Sequence, residues 1–353
     1  MAIQGGYEEA AVYYVETLSE CNLKCVMCGF GNREIFQRET GKMSLGLFKQ
    51  IVDEIARRSP HALVAPYHHC ELLLHTELPE MVQVIKNHNL RCEISTNLNY
   101  AERLEELLKA EPGSIDISVS GFYQNTYEKN HVGGDIEKVK RNMELLRNLM
   151  EKTKCYPQVT VQYHMYIDNL GEDFDLMRKF VENLGFTFSA NWSRSICTEM
   201  SLKYLREIGN SRYHGETLQW FDDMPKLPKA YNNGIKRMIH LPQDYLQGEW
   251  ENIQTKECLM NHRIINIRWN GKISLCSWTF DDRSSLGDYL TTPIERLWEE
   301  RQKSPICHEC LKNNYVFYTN YFDMDHIDEI ARGRVSPEIA SDRRFFAPKK
   351  QSD

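Results

Sequence analysis

From residue 10 to residue 197, short β-branched, apolar runs alternate with longer amphipathic stretches, and that alternation restricts the fold more than any other feature of the chain. Six runs have strand character: AAVYYVET, HALVAPYH, LRCEISTN, SIDISVS, VTVQYHMY and FTFSANW. The stretches between them have helical spacing: SLGLFKQIVDEIARR, LPEMVQVIKNH, NYAERLEELLKA, DIEKVKRNMELLRNLMEK and EDFDLMRKFVENLG. Ser44 is placed to cap the first helix and Gly185 to close the last. Val139, Met143, Leu146 and Met150 recur at helical spacing and are expected in the core. Strand and helix in alternation make βα units, so the expected class is α/β with a parallel sheet.

The chain has 353 residues, more than the roughly 100 to 200 of one ordinary domain, so a second, smaller unit is expected beside the first. Residues 1–197 form the expected βα domain. Residues 198–257 carry irregular, Pro- and Gly-punctuated sequence such as DDMPKLPKAYNNG and are expected to be a linker. Residues 258–320 form a compact region in which RIINIRWNGKISLCSW reads as a hairpin turning at Asn270-Gly271. Residues 321–353 are a tail with one short amphipathic segment and a frayed end.

A formal net charge of -7, with no long Lys/Arg run, gives no nucleic-acid footprint. No basic region leads into an apolar stretch at the N-terminus, and no 18 apolar residues run together, so neither export nor a membrane is expected and the cytoplasm is the expected compartment. In that compartment thiols stay reduced, so the eleven cysteines need a role other than disulfides. Seven fall into two groups with metal-ligand spacing, and Cys70, Cys92, Cys155 and Cys197 are scattered.

The first group is SECNLKCVMC, with Cys21, Cys25 and Cys28 on one short loop after the first strand. Three thiolates from one loop suit an iron-sulfur cluster with one open iron. A zinc loop with a distant fourth ligand, or buried inert thiols, are the alternatives. The loop's place at the C-terminal end of a strand is where α/β barrels and sheets put their active sites.

This loop resembles the signature of the radical S-adenosylmethionine (SAM) superfamily, Cys-x3-Cys-x-φ-Cys after the first strand, with Met27 standing where an aromatic residue is usual. The resemblance spans about residues 10 to 197. It implies a partial (βα)6 TIM-like barrel, a [4Fe-4S] cluster on Cys21, Cys25 and Cys28, bound SAM, and a 5'-deoxyadenosyl radical that abstracts hydrogen. It also implies an electron donor such as flavodoxin or ferredoxin. After the second strand the family has Gly-Gly-Glu-Pro; here His69, Cys70, Glu71 and Leu72 occupy those places, so Glu71 keeps the carboxylate expected to receive the cofactor's ammonium. Either the backbone path differs there, or the His69 and Cys70 side chains point into the site. STNL at the third strand's end resembles Thr-Asn-Gly, and SVSGF ends the fourth. Ser95, Asn97, Ser118 and Ser120 are therefore candidates to hydrogen-bond the cofactor, and Arg194 to pair with a carboxylate; local capping or solvation are the alternatives. His68, His69, His164, Tyr163 and Tyr166 are polar groups near the expected barrel mouth.

The second group is Cys258 and Cys276, at the two ends of the hairpin region, with Cys307 and Cys310 in a CHEC turn. By spacing this fits a zinc ribbon. Beside the first group it resembles the auxiliary-cluster modules SPASM and twitch, with Gly271 and Cys276 matching their Cys-x(9 to 15)-Gly-x4-Cys opening. Four cysteines, not seven, fit the one-cluster twitch form and imply a small C-terminal α+β cluster-binding domain holding a second [4Fe-4S] cluster. SSLGDYLTTPIERLWEE, between the pairs, is expected to form a short strand and a helix.

The resemblance implies an oxidoreductase acting on a small sugar-like or amino-alcohol substrate, the auxiliary cluster assisting a dehydrogenation. Epimerisation or dehydration of a carbohydrate, with Cys197 or Cys70 as hydrogen donor in the epimerase case, and peptide modification are the other outcomes. The first strand begins near residue 10, which leaves no expected room for a leader-binding domain and favours the small molecule. Outside the enzymes, a two-site zinc-binding protein fits the same cysteines.

Overall fold

The computed structural model describes residues 10–212, 219–246, 258, 263–316 and 325–346. Parts of the expected linker and tail, and Leu259–His262 of the hairpin region, lie outside the described residues.

All six expected strands form: β1 Val12–Val15, β2 Leu63–Ala65, β3 Arg91–Thr96, β4 Ser114–Val119, β5 Gln158–Met165 and β6 Thr187–Trp192. They pair in parallel in sequence order, for example Val12 against Leu63 and Met165 against Trp192. The helices Leu45–Arg58, Leu78–Asn87, Leu104–Lys109, Ile136–Thr153 and Glu172–Asn183 return the chain between strands. This is the α/β partial barrel. Ser44 caps the first helix by accepting the Leu47 N–H at 3.2 Å, and Gly185 follows the last with a left-handed φ of 73°. Val139, Met143, Leu146 and Met150 are buried in the core. On the other face, strand residues such as Ser95, Ser118, Gln162 and His164 are only half-buried, because the incomplete barrel leaves its concave side open.

Three further strands, β7 Ile264–Ile267, β8 Lys272–Ser274 and β9 Ser285–Asp288, extend this sheet in the order β6-β5-β4-β3-β2-β1-β7-β8-β9. β7 runs parallel to β1, with Tyr14 opposite Asn266, whereas β7–β8 and β8–β9 are antiparallel. The β7–β8 turn falls at Asn270-Gly271, where Gly271 takes a φ of 82° that glycine adopts without penalty. The expected strand and helix after it are β9 and Ile294–Lys303.

Two expectations of local structure change. The segment after Cys197 begins with the helix Thr198–Glu207, whose Met200, Leu202, Tyr204 and Leu205 are buried, where irregular backbone was expected. Thr198, Glu199 and Ser201 are buried beside them, so polar positions on the core side blur the apolar spacing. The CHEC run is helical too, within Pro305–Lys312, because Pro305 at the first position and the absence of glycine favour a helix over a turn. Both helices feed a second core that joins Met27 and Phe30 to Tyr231, Phe280, Ile306 and Tyr315.

In the tail, Asp325–Arg332 and Pro337–Ser341 are helical, and Phe345 and Phe346 are buried near Trp192. Among the described residues no helix is long and apolar enough to cross a membrane.

Candidate active site

The loop after β1 is held open by its own hydrogen bonds. The Asn32 side-chain amide donates to the carbonyls of Val26 and Cys28, both at 2.9 Å, and Lys24 N–H and Val26 N–H donate to Val132 and Asn130 carbonyls at 2.9 and 3.1 Å. A Cβ at Gly31 would overlap the Cys25 carbonyl oxygen, so the loop closes on itself only with glycine there. Shaped this way, the loop turns Cys21, Cys25 and Cys28 into a cavity of about 300 Å³ at the C-terminal ends of the strands.

The same cavity is lined by Met27, Glu71, Ser95, Asn97, Ser118 and Arg194. Glu71 is buried and accepts from Leu73 N–H at 3.0 Å, Thr96 O–H at 2.7 Å and Asn97 N–H at 2.7 Å. Burial pushes its pKa up, and these bonds pull it back. Asn97 donates from Nδ2 to Asn22 at 2.9 Å, beside Cys21 Sγ at 3.9 Å. Ser120 parts from the others: it is fully buried, does not line the cavity, and bonds His131 Nδ1 at 2.5 Å. Strand alternation from Ser118 ends with β4 at Val119, which is why the two serines part.

His69 and Cys70 do line the cavity, and the His69 ring packs on His68 at 4.0 Å and Phe280 at 5.2 Å. His68 lines it too and bonds the Ser277 carbonyl at 2.7 Å through Nε2. Of the remaining polar candidates, His164 reaches the cavity, whereas Tyr163 is taken up by Asp173 at 2.6 Å and Tyr166 by the Thr126 carbonyl. Cys197 is fully buried outside the cavity lining, in the second core, where its thiol donates to Glu199 at 3.2 Å. Its position at the start of a helix, not at the end of a strand, turns it inward.

His131, Tyr67, Trp192 and Trp278 also line the cavity and were not singled out from the sequence. Trp278, two residues after Cys276, had a signal in that spacing. His131 had none, since it lies in a loop brought in by the fold.

Burial holds the thiols neutral: it pushes Cys21 up to about 12, and Cys25 and Cys28 upward, with neighbouring carboxylates or cysteines adding to it and Arg38 drawing Cys28 partly back. Such thiols become ligands when a metal centre supplies the positive charge. The imidazoles are neutral for the same reason, with desolvation lowering His68 and His131 to about 3 and His164 to about 4.

Cys258, Cys276, Cys307 and Cys310 lie within electrostatic reach of one another, and burial raises Cys276 to about 12 and Cys307 to about 11. Cys307 and Cys310 are three apart on one helix and so share a face. Among the described residues no three His, Cys, Asp or Glu side chains have the spacing for a single metal ion.

Residues 15–181 match the family described as the radical SAM superfamily. The chain is 26% identical over 271 residues, 74% of its length and 70% of the other, to the tungsten-containing aldehyde ferredoxin oxidoreductase cofactor-modifying protein of Pyrococcus furiosus. It is 32% identical over 132 residues to a probable GTP 3',8-cyclase of Methanococcus vannielii, covering 35% of this chain and 41% of that protein. In fold it is similar to anSMEcpe, solved with bound AdoMet, at a TM-score of 0.52 and 16% identity over 85% of this chain and 82% of that one. That family implies a [4Fe-4S] cluster and SAM, and the donor set facing the cavity fits them. With its partial barrel and its three-cysteine loop, the stretch 15–181 is the part of the chain that matches the radical SAM superfamily.

Proposed function

We propose that the protein is a radical SAM oxidoreductase acting on a small sugar-like or amino-alcohol substrate, with Cys21, Cys25 and Cys28 holding one [4Fe-4S] cluster and Cys258, Cys276, Cys307 and Cys310 a second. The observation that carries this reading is the convergence of the three loop cysteines with Glu71, Asn97, Ser118 and Arg194 on one cavity. When bound, the first cluster and SAM supply a 5'-deoxyadenosyl radical for hydrogen abstraction, and the second cluster supplies the redox capacity that a dehydrogenation needs.

The protein's own residues do the rest. Glu71 Oε2 receives one hydrogen bond, from Asn97 N–H, and keeps a lone pair for an ammonium. Ser95 and Ser118 offer hydroxyls on neighbouring strands, and Arg194 a guanidinium, for carboxylate or ribose oxygens. His164 and His131, kept neutral by burial, line the cavity with imidazoles that serve as hydrogen-bonding groups for a substrate hydroxyl. Trp192 and Trp278 form part of the cavity wall. A small substrate also agrees with the name of the Pyrococcus furiosus relative, a cofactor-modifying protein.

Epimerisation is the second reading, and one observation favours a specific donor for it: Cys70 lines the cavity and Cys197 does not. Deuterium entering the product from solvent, lost in Cys70→Ala, identifies that outcome.

Anaerobic purification tests the main reading. About eight iron and eight sulfide per chain are expected, falling by about half in Cys25→Ala and likewise in Cys276→Ala. Reduced protein with SAM should yield 5'-deoxyadenosine, and Cys276→Ala should retain that yield while losing oxidised product. Two zinc ions and no sulfide overturn the reading.

A further inference from the structure

Arg301 is 1% exposed, a guanidinium held inside the protein. It sits near the end of the helix Ile294–Lys303, one turn before the helix Pro305–Lys312 that carries Cys307 and Cys310. Its Nη2 donates at 3.0 Å to the carbonyl of Ile264, the first residue of β7, and its guanidinium lies 5.0 Å from the Trp298 ring. The side chain is thus pinned between β7 and Trp298 of its own helix, within electrostatic reach of Cys276, Cys307 and Cys258. The first cysteine group also has an arginine near it, Arg38, which acts on Cys28.

We propose that Arg301 is the buried counter-charge of a cluster on Cys258, Cys276, Cys307 and Cys310, holding that cluster's reduction potential above the value it has without the cation. This rests on the auxiliary-cluster reading above. Four thiolates give a four-iron cluster net negative charge, and reduction adds one more. A fixed cation in a low-dielectric setting stabilises the reduced form more than the oxidised one and so raises the potential. The guanidinium keeps its proton at any ordinary pH, so the charge is permanent. The Trp278 N–H, which donates to Cys276 Sγ at 3.4 Å, acts in the same direction.

The test uses full-length protein in which Cys21, Cys25 and Cys28 are all replaced by alanine, so that about four iron per chain report the second group alone. Arg301→Gln and Arg301→Lys are compared in that background by iron and sulfide content, far-UV circular dichroism and redox titration followed by electron paramagnetic resonance. The expected result is a more negative midpoint in Arg301→Gln and one near the parent in Arg301→Lys. Loss of the cluster from folded Arg301→Gln, with retention in Arg301→Lys, supports the same role. An unmoved midpoint in Arg301→Gln, or equal damage in both variants, overturns the role of Arg301 while leaving the auxiliary cluster standing. A parent protein without iron at the second group removes the cluster reading, and this inference with it.

Discussion

Gly29, the residue after Cys28, packs so closely on Phe280 that a Cβ placed there would lie 2.6 Å from the Phe280 Cγ. The ring has little freedom to withdraw. It is 1% exposed and is held by Phe36 at 5.0 Å, His69 at 5.2 Å and the Arg38 guanidinium at 4.1 Å. The contact fixes the first cysteine loop against the strand-rich region that carries Cys276. Gly29→Ala is expected to cost roughly 1–3 kcal/mol of stability through overpacking. The cost should shrink when Phe280 is also changed to Leu, a coupling that denaturant unfolding of the two single variants and the double variant measures. Strict additivity would show that the two residues do not press on each other.

That contact joins elements about 250 residues apart in sequence, and the distance explains what was legible from sequence and what was not. The strands and most of the helices follow from local patterning, and so do the Ser44 cap, the Gly185 terminus and the Asn270-Gly271 turn. Cysteine spacing singled out the loop that faces the cavity. Arg194 and His164 were anticipated from their places at strand ends. His131 was not, because it lies in a loop whose contacts follow no periodic pattern: its ring stacks on Tyr127, 4.8 Å away and 3° from parallel, and bonds Ser120. The helix Thr198–Glu207 was hidden by its own burial, and Ser120 and Cys197 were taken for site residues because sequence position does not reveal which way a side chain turns at the end of a strand.

The pH dependence of stability should carry a mark of His131. Desolvation, with His164 adding to it, lowers its pKa to about 3 in the folded protein, against the ordinary 6.5. Between those values the unfolded chain binds a proton that the folded protein excludes, so stability is full above 6.5 and falls as pH drops below it. The contribution is at most about 1.4 kcal/mol per pH unit. Denaturant unfolding at pH 7.5 and 5.5 should show His131→Asn losing less stability on acidification than the parent, and equal losses would refute the assignment.

Glu71 is expected to tolerate even its isosteric amide poorly. Oε1 accepts from Leu73 N–H and Thr96 O–H, and Oε2 from Asn97 N–H. In Gln, one of those oxygens becomes an NH2 group that faces a donor, so either orientation leaves a buried clash of donors. A loss of about 1–3 kcal/mol follows. If Glu71 also receives the cofactor's ammonium, Glu71→Gln should weaken SAM binding beyond what Thr96→Val does, which calorimetry on both variants measures. Equal affinities would confine Glu71 to a structural part.

The buried pair of Arg38 and Glu16 gives the strongest asymmetry to test. Arg38 donates to both Glu16 carboxylate oxygens, at 2.6 Å to Oε2, and through Nη1 to the Phe280 carbonyl at 2.6 Å. Glu16 is 1% exposed, and its pKa is raised by burial and drawn back by Arg38 and then Arg268. Arg38→Met leaves that carboxylate buried without its nearest cation, which should cost about 3–5 kcal/mol. Part of the cost should return when Glu16 is made Gln as well, since the uncompensated charge is then gone. Arg38→Met alone should also become less stable as pH rises: with its cation removed, the folded Glu16 pKa climbs further above its unfolded value. Stability is then full below about 4.5 and is lost as pH rises from there through the folded value. Unfolding at pH 5 and pH 8 for the parent, Arg38→Met and the double variant separates the charge effect from the lost contacts. Only Arg38→Met should gain stability towards pH 5 relative to the other two. A double variant as unstable as Arg38→Met, with the same pH profile, would mean that the contacts to Phe280, not the charge on Glu16, fix the loop.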